Sequence, residues 1–334
     1  MTNKSIKFGI ALFLIIAAIG CRNEDFNDKV VIPDFNFTKT IVFEDSLSAY
    51  QIFEGKPNTL SPSSDFQLLE LSSTLFSDYS HKQRLVKIPV GKTASIASNY
   101  AVNYPNGTIL TKTFFYYNDE RDTSLGKRII ETRLLIKESE SWNAATYVWN
   151  EEQTNAYLKL DGLNTNISWI NESGTSRSTN YHIPTENECM TCHQSNGAMT
   201  HLGPTLLNLN RTVDRNGSSV NQLDHLKNEG ILGTLPSGEL PTMVNYKDKT
   251  KPLANRGLAY LAMNCAHCHN PSAWDTPAGK GLDFRHNTPF DQSGISDKKD
   301  EIIRNIQNEE MPFIGTTMQH DEGAALIIEY IASL

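Results

Sequence analysis

The apolar residues of this chain follow three patterns from its start to its end. A continuous apolar run, FGIALFLIIAAIG, comes first. From about Lys39 to Trp169, short β-branched and aromatic runs such as RLVKIPV and TILTKTFFYY alternate with turn sequences such as YPNG. Further on, apolar residues recur at helical spacing, most clearly in the C-terminal stretch DEGAALIIEYIASL. The pattern predicts a β-rich unit, resembling a sandwich, followed by helices.

Local signals place the helices of the second half. Thr185 and Glu188 form a capping box after Pro184, which predicts a helix that starts at about Thr185. Other helices are expected at 222–229, in the amphipathic segment PLANRGLAYLAMN and in the C-terminal stretch. The polar stretch NESGTSRSTN at 171–180 is expected to be a linker into the first helix.

The apolar run at the start indicates export. Lys4 and Lys7 precede it, and it is too short to span a membrane as a helix. Its end, AIGC, resembles a bacterial lipobox, although Ala18 stands where leucine is commoner. The resemblance implies cleavage after Gly20 and a lipid on Cys21, and thus a lipid anchor in the cell envelope, with the outer membrane expected. The alternatives are an uncleaved signal anchor and a plain secretory peptide.

The net charge and the cysteine content limit which partners and cofactors the chain can have. The net charge is −8 and no basic patch stands out, which argues against nucleic acid as a partner. Apart from Cys21, the chain has four cysteines, and they fall in two copies of one pattern, CMTCH at 189–193 and CAHCH at 265–269.

Cys-x-x-Cys-His is the attachment pattern of c-type haem. Residues three apart face the same side of a helical turn, so two thiols can form thioethers with the two vinyl groups. The next histidine then binds the iron. The sequence therefore predicts two covalently bound haem c groups, held by Cys189 and Cys192 and by Cys265 and Cys268, with His193 and His269 as proximal ligands. The alternatives are a disulfide in each pair, a thioredoxin-like redox pair and a Cys/His zinc site.

Methionine sulfur is the expected sixth ligand of such an iron. For the second haem, Met311 in NEEMPFIG is predicted, with Met318 as the substitute. For the first haem, Met243 in ELPTMVNY is the candidate. A histidine is the rival there, or the iron could be five-coordinate; the available histidines are His182, His201 and His225.

Several stretches together resemble a family of exported bacterial diheme c-type cytochromes: SDYSHKQRLVKIPVG, NGTILTKTFFY, IIETRLLIK, YVWNEEQTNA, YHIPTENECMTCH, LGPTLLNLNR and LAYLAMNCAHCHNP. The resemblance covers roughly residues 40–334. It implies an N-terminal β-rich region, a C-terminal two-haem region and electron transfer with a redox partner protein, such as a periplasmic sugar-dehydrogenase-like enzyme.

The predicted fold class is multidomain β plus α, with an N-terminal β-sandwich-like domain followed by an all-α, cytochrome c-like diheme region. Its predicted parts are a lipoprotein signal peptide (1–20), a tether (21–38), a β-rich domain (39–175), a first haem c unit (176–254) and a second haem c domain of class I cytochrome c type (255–334).

Three functions follow from this organisation. The first is an electron carrier in the cell envelope. The second is a diheme enzyme of peroxidase type with one open iron. The third is a surface module in which the β-rich domain binds a ligand and the haems are accessory.

Overall fold

The computed structural model describes residues 32–35, 40–273, 281–312 and 314–334. Residues 32–334 form one compact unit. The predicted signal peptide 1–20, the lipidation site Cys21 and most of the tether 21–38 lie outside the described residues.

The largest element is an antiparallel sheet of six strands in the order β1-β2-β5-β6-β7-β8. Four two-stranded hairpins accompany it among the described residues: β3-β4, β9-β10, β11-β12 and β13-β14. The strands are β1 Gln67–Leu68, β2 His81–Lys87, β3 Ser95–Ile96, β4 Val102–Asn103, β5 Ile109–Tyr117, β6 Lys127–Glu138, β7 Ser141–Trp149, β8 Ala156–Leu158, β9 Leu163–Ile170, β10 Ser176–Ile183, β11 Gln194–Ser195, β12 Ala198–Met199, β13 Thr212–Arg215 and β14 Ser218–Asn221.

The described helices are short, and the longest have twelve residues. They are α1 Glu186–His193, α2 Leu206–Leu209, α3 Gln222–Asn228, α4 Leu253–Asn264, α5 Lys299–Gln307 and α6 Asp321–Ala332. Among the described residues, no helix combines the length and the apolar character needed to cross a bilayer.

Both faces of the six-stranded sheet are covered. Side chains alternate between the faces along each strand. On one face, Phe115 packs with Phe43 and Leu60 of the segment that precedes β1. On the other face, Phe114 packs against the β9-β10 hairpin, and Leu110 packs with residues of α2 and α3. The second face is therefore the one that meets the first Cys-x-x-Cys-His sequence.

The β-rich N-terminal part is confirmed, but the prediction of an all-α, cytochrome c-like diheme region is wrong. Within 176–254, strands β11 to β14 form two hairpins, and the helices α1 to α3 have eight residues or fewer. The β13-β14 hairpin turns at Asn216 and Gly217, both with positive φ, as a two-residue hairpin turn requires. The predicted linker at 171–180 is also corrected, because residues from Ser176 onwards pair with β9 along the whole of β10.

The predicted helices are confirmed where local signals defined them. The capping box at Thr185 is present, and α3 and α6 lie where the sequence placed them. Helices α4 and α6 approach closely at two glycines. A Cβ at Gly257 would lie 2.4 Å from the Tyr330 ring, and one at Gly323 would lie 2.2 Å from the Tyr260 hydroxyl.

Candidate functional site

Helix α1 places the first Cys-x-x-Cys-His sequence. The side-chain oxygen of Thr185 accepts a hydrogen bond from the Glu188 N–H, at 3.2 Å, and the Glu188 carboxylate accepts one from the Thr185 N–H, at 2.6 Å. This reciprocal pair satisfies two N–H groups at the start of the helix. The helix runs to His193, so Cys189 and Cys192 are presented three residues apart on one helical turn.

The orientation of His193 is set by the loop that follows it. Its Nδ1 lies 2.9 Å from the carbonyl oxygen of Thr200. A carbonyl oxygen only accepts, so Nδ1 carries the proton, and Nε2 keeps a free lone pair. Burial lowers the pKa of His193 to about 4, so the ring is neutral at pH 7. A neutral imidazole held through Nδ1 is the form in which histidine binds a metal.

A cavity of about 620 Å³, its open mouth included, lies between the first motif and the six-stranded sheet. Cys189, His193 and His201 line it on the motif side, and Arg84, Lys112 and Arg133 line it on the sheet side. Burial, together with the charges of the two arginines, lowers the pKa of Lys112 to about 7.

Three histidines are alternatives to Met243 as the sixth ligand of the first haem, and of these His201 lines this cavity. Its Nε2 lies 3.0 Å from the carbonyl oxygen of Val102, whereas its buried Nδ1 has no hydrogen-bond partner. The ring lies against the edges of Tyr104 and Trp142. In contrast, His182 lies outside the cavity and contacts Glu188 at 3.1 Å.

The second Cys-x-x-Cys-His sequence follows α4 instead of lying within it. The helix ends at Asn264, and beyond it the His269 N–H donates to the Cys265 carbonyl, at 2.9 Å, in the helical i to i−4 pattern. His269 is buried beside Phe284, with ring centroids 5.1 Å apart. Burial lowers the pKa of His269 to about 4, and its buried Nδ1 has no hydrogen-bond partner. This ring is therefore neutral as well.

The two motifs meet in space. The ligand atoms of Cys192, His267 and Cys268 lie within 4.8 Å of one another. Contact between the two thiols lowers the pKa of Cys192 and raises that of Cys268. His267 has no predicted role, since no local signal in the sequence distinguishes it from other histidines. Its proximity to Cys192 comes from the packing of the two motifs.

The outer cysteine of each motif has a different environment. Burial raises the pKa of Cys189 and of Cys265 to about 12 in each case. Both are therefore protonated thiols at neutral pH, and neither is a thiolate ready to bind a metal. Thioether formation leaves a neutral sulfur, which suits such a buried position.

The predicted sixth ligands occupy separate places. Met243 is buried among residues of α4 and α6, including Tyr260, and the residues that line the cavity beside His193 do not include it. Met311 is partly buried after α5, and its N–H donates to the Asn305 carbonyl at 3.3 Å. Met318 packs beside the cluster of Phe114 and its neighbours. The assignments of Met311 and Met243 stay predictions.

The residues at the first motif fit an attached haem. The sulfur of Cys189, a neutral imidazole with one free nitrogen and a cavity come together there, and Cys192 lies on the same helix three residues further on. Comparisons with protein-family models, with curated proteins and with solved structures found no match to this chain. The resemblance to diheme cytochromes therefore stays a prediction from the sequence.

Proposed function

We propose that the protein is a diheme c-type cytochrome that transfers electrons in the cell envelope. The observation that supports this most is the placement of His193. Its Nδ1–H donates to Thr200, and the ring lies at a cavity that Cys189 also lines. A histidine that follows Cys-x-x-Cys and keeps Nε2 free has the geometry needed for a proximal iron ligand.

Each motif would supply the same set of groups. Cys189 and Cys192 would hold the first haem through thioethers, and Cys265 and Cys268 would hold the second. His193 and His269 would bind the irons, and their neutral state means that no proton has to leave. When bound, haem supplies one-electron oxidation and reduction at iron. The chain orients the imidazoles and limits contact with water.

The contact between the motifs supports exchange between two haems. Cys192 and Cys268 belong to different motifs, yet their sulfur atoms approach within 4.8 Å. Two macrocycles attached through these atoms would be neighbours. Electrons could then enter through one haem and leave through the other, as a carrier requires. A redox partner such as a periplasmic dehydrogenase, and a lipid anchor on Cys21, belong to the same proposal.

A peroxidase-type enzyme is the second candidate. It is favoured by the absence of Met243 from the residues that line the cavity beside His193. An iron there without a sixth ligand from the protein would be open to a small substrate. The third candidate, a ligand-binding β module, is less favoured, because Trp149 and Trp169 are buried in the core and offer no stacking surface.

A metal site without haem would use some of the same atoms. Cys192, His267 and Cys268 form a sulfur and nitrogen donor set of the kind that binds zinc, with one position left open. Haem attachment at both motifs would occupy both of these sulfurs. The two possibilities are therefore exclusive and separable by analysis of bound metal.

The test uses mature protein purified from an exporting host that attaches c-type haem. We expect reversible changes in the haem absorbance on reduction, rapid reoxidation by an external electron acceptor and negligible peroxide turnover. Steady-state peroxide reduction would favour the enzyme. Colourless protein with stoichiometric zinc would favour the metal site and contradict the cytochrome.

A further inference from the structure

Three cations lie side by side on the sheet face that meets the first motif. In the register of the strands, Arg84 of β2 lies opposite Lys112 of β5, and Lys112 lies opposite Arg133 of β6. Like charges directly opposite each other on neighbouring strands repel, so this row costs folding free energy unless something offsets it.

Only part of that charge is neutralised by the protein. Arg133 forms a two-bond ion pair with Glu131, at 2.9 and 2.6 Å, and Tyr181 also donates to this carboxylate. Arg84 is only 8% exposed. Among the described residues, neither its guanidinium nor the Lys112 ammonium has a carboxylate or hydrogen-bond partner. When Lys112 is protonated, three cations and one carboxylate leave an excess of two positive charges.

The uncompensated cations border the cavity of the first motif. Arg84, Lys112 and Arg133 line it together with Cys189 and His193. Lys112 also lies over the Phe114 ring, with its Nζ 5.2 Å from the centroid, and Lys82 on the same face adds further positive charge. A buried arginine without an anion is costly, and guanidinium groups bind carboxylates in a two-bond geometry.

We propose that this row, Arg84, Lys112 and Arg133, binds the two carboxylates of the haem attached at the first motif. The proposal rests on the proposed function, because it places a haem at Cys189 and His193. With Lys112 protonated, the charge of the row is balanced, since the two propionate groups of a haem carry two negative charges. The β-rich part then supplies one side of the first haem site.

The test measures reduction potentials of the holoprotein carrying Arg84→Gln or Lys112→Gln. Arg128→Gln is the matched control, since Arg128 also lies on β6 but is half-exposed and does not line the cavity. We expect both haems to remain attached. The equilibrium constant for reduction of one haem should fall about tenfold, which lowers its reduction potential by about 59 mV for a one-electron couple. Arg84→Lys retains the charge and should keep most of the potential. Unchanged potentials in both glutamine variants would overturn the proposal.

A second set of measurements shows which of the two haems responds to Arg84, and whether the bound anion comes from haem or from solution. In a Cys189→Ser, Cys192→Ser background, which keeps only the second haem, Arg84→Gln should leave the remaining potential unchanged. An equal shift there would overturn the proposal. Added inorganic phosphate at constant ionic strength should not change the wild-type potentials, whereas a response would show that the row is open to solute anions. A wild type without haem would instead refute the proposed function itself.

Discussion

The sulfur atom of Cys192 lies within 4.8 Å of the sulfur atom of Cys268. Each belongs to a different Cys-x-x-Cys-His sequence, and only the tertiary fold brings them together. The two motifs therefore form one site, in which a group attached to either cysteine would lie beside the other motif. This relationship supports the proposed electron exchange between two haems more directly than two separate haem domains would.

The first prediction concerns coupling between the two haems. Because neighbouring irons change charge on reduction, the first electron should make the second harder to add. Wild-type protein should therefore titrate over a wider potential range than a single one-electron couple. The Cys189→Ser, Cys192→Ser variant should titrate as one such couple, measured by optical redox titration. If the haem that remains in this variant has the same reduction potential as it has in the wild type, that result would argue against contact between the haems.

The second prediction concerns the close approach of α4 and α6. Gly257→Ala would force a methyl group against the Tyr330 ring, and Gly323→Ala would force one against the Tyr260 hydroxyl. Each should lower the free energy of unfolding by about 1–3 kcal/mol, as overpacking does. Glu329→Ala, at an exposed position of α6, should change it by less than about 0.5 kcal/mol. Urea unfolding followed by circular dichroism measures these differences, and two tolerated glycine replacements would contradict the packing.

A third prediction addresses the buried carboxylate of Asp78. It accepts hydrogen bonds from the N–H and hydroxyl of Thr317, at 2.8 and 3.0 Å, and from the Met318 N–H, at 3.2 Å. These bonds tie the segment before α6 to the β-rich part. Asp78→Ala would leave these donors unpaired and should cost roughly 2–4 kcal/mol. Asp78→Asn keeps one acceptor oxygen and should cost clearly less, which thermal unfolding of both variants would show; equal losses would point to a steric effect.

The fourth prediction is a pH dependence that comes from His320. Its ring is buried, stacks on Phe76 with centroids 4.2 Å apart, and contacts the Tyr260 hydroxyl at 3.1 Å. Burial lowers the pKa of His320 from 6.5 to about 4. The unfolded chain therefore binds this proton first as the pH falls, and stability should decrease between about pH 6.5 and pH 4.

A variant isolates this contribution. His320→Phe keeps a ring against Phe76 and removes the titrating group. The unfolding free energy should therefore fall less steeply between about pH 6.5 and pH 4, because the contribution of one proton to the slope is lost. Unfolding free energies measured at a series of pH values test this, and an unchanged slope in His320→Phe would contradict it.

Sequence patterns predicted the features that depend on near neighbours in the chain. The helix at Thr185 was predicted because its capping box is local, and α6 because its apolar face is continuous. The all-α prediction was wrong because the hairpin over 212–221 consists mainly of polar residues, which the helical pattern did not reveal. The row of Arg84, Lys112 and Arg133 could not be predicted, because it depends on the register of three strands. Likewise, no short pattern places His267 beside Cys192.

The most direct test of the central claim is the intact mass of the mature protein from a host that attaches c-type haem. The account predicts the polypeptide mass plus two haem groups in the wild type. It predicts one haem group in the Cys189→Ser, Cys192→Ser variant and one in the Cys265→Ser, Cys268→Ser variant. A wild-type mass without added haem, from a host that loads a control cytochrome, would contradict the account.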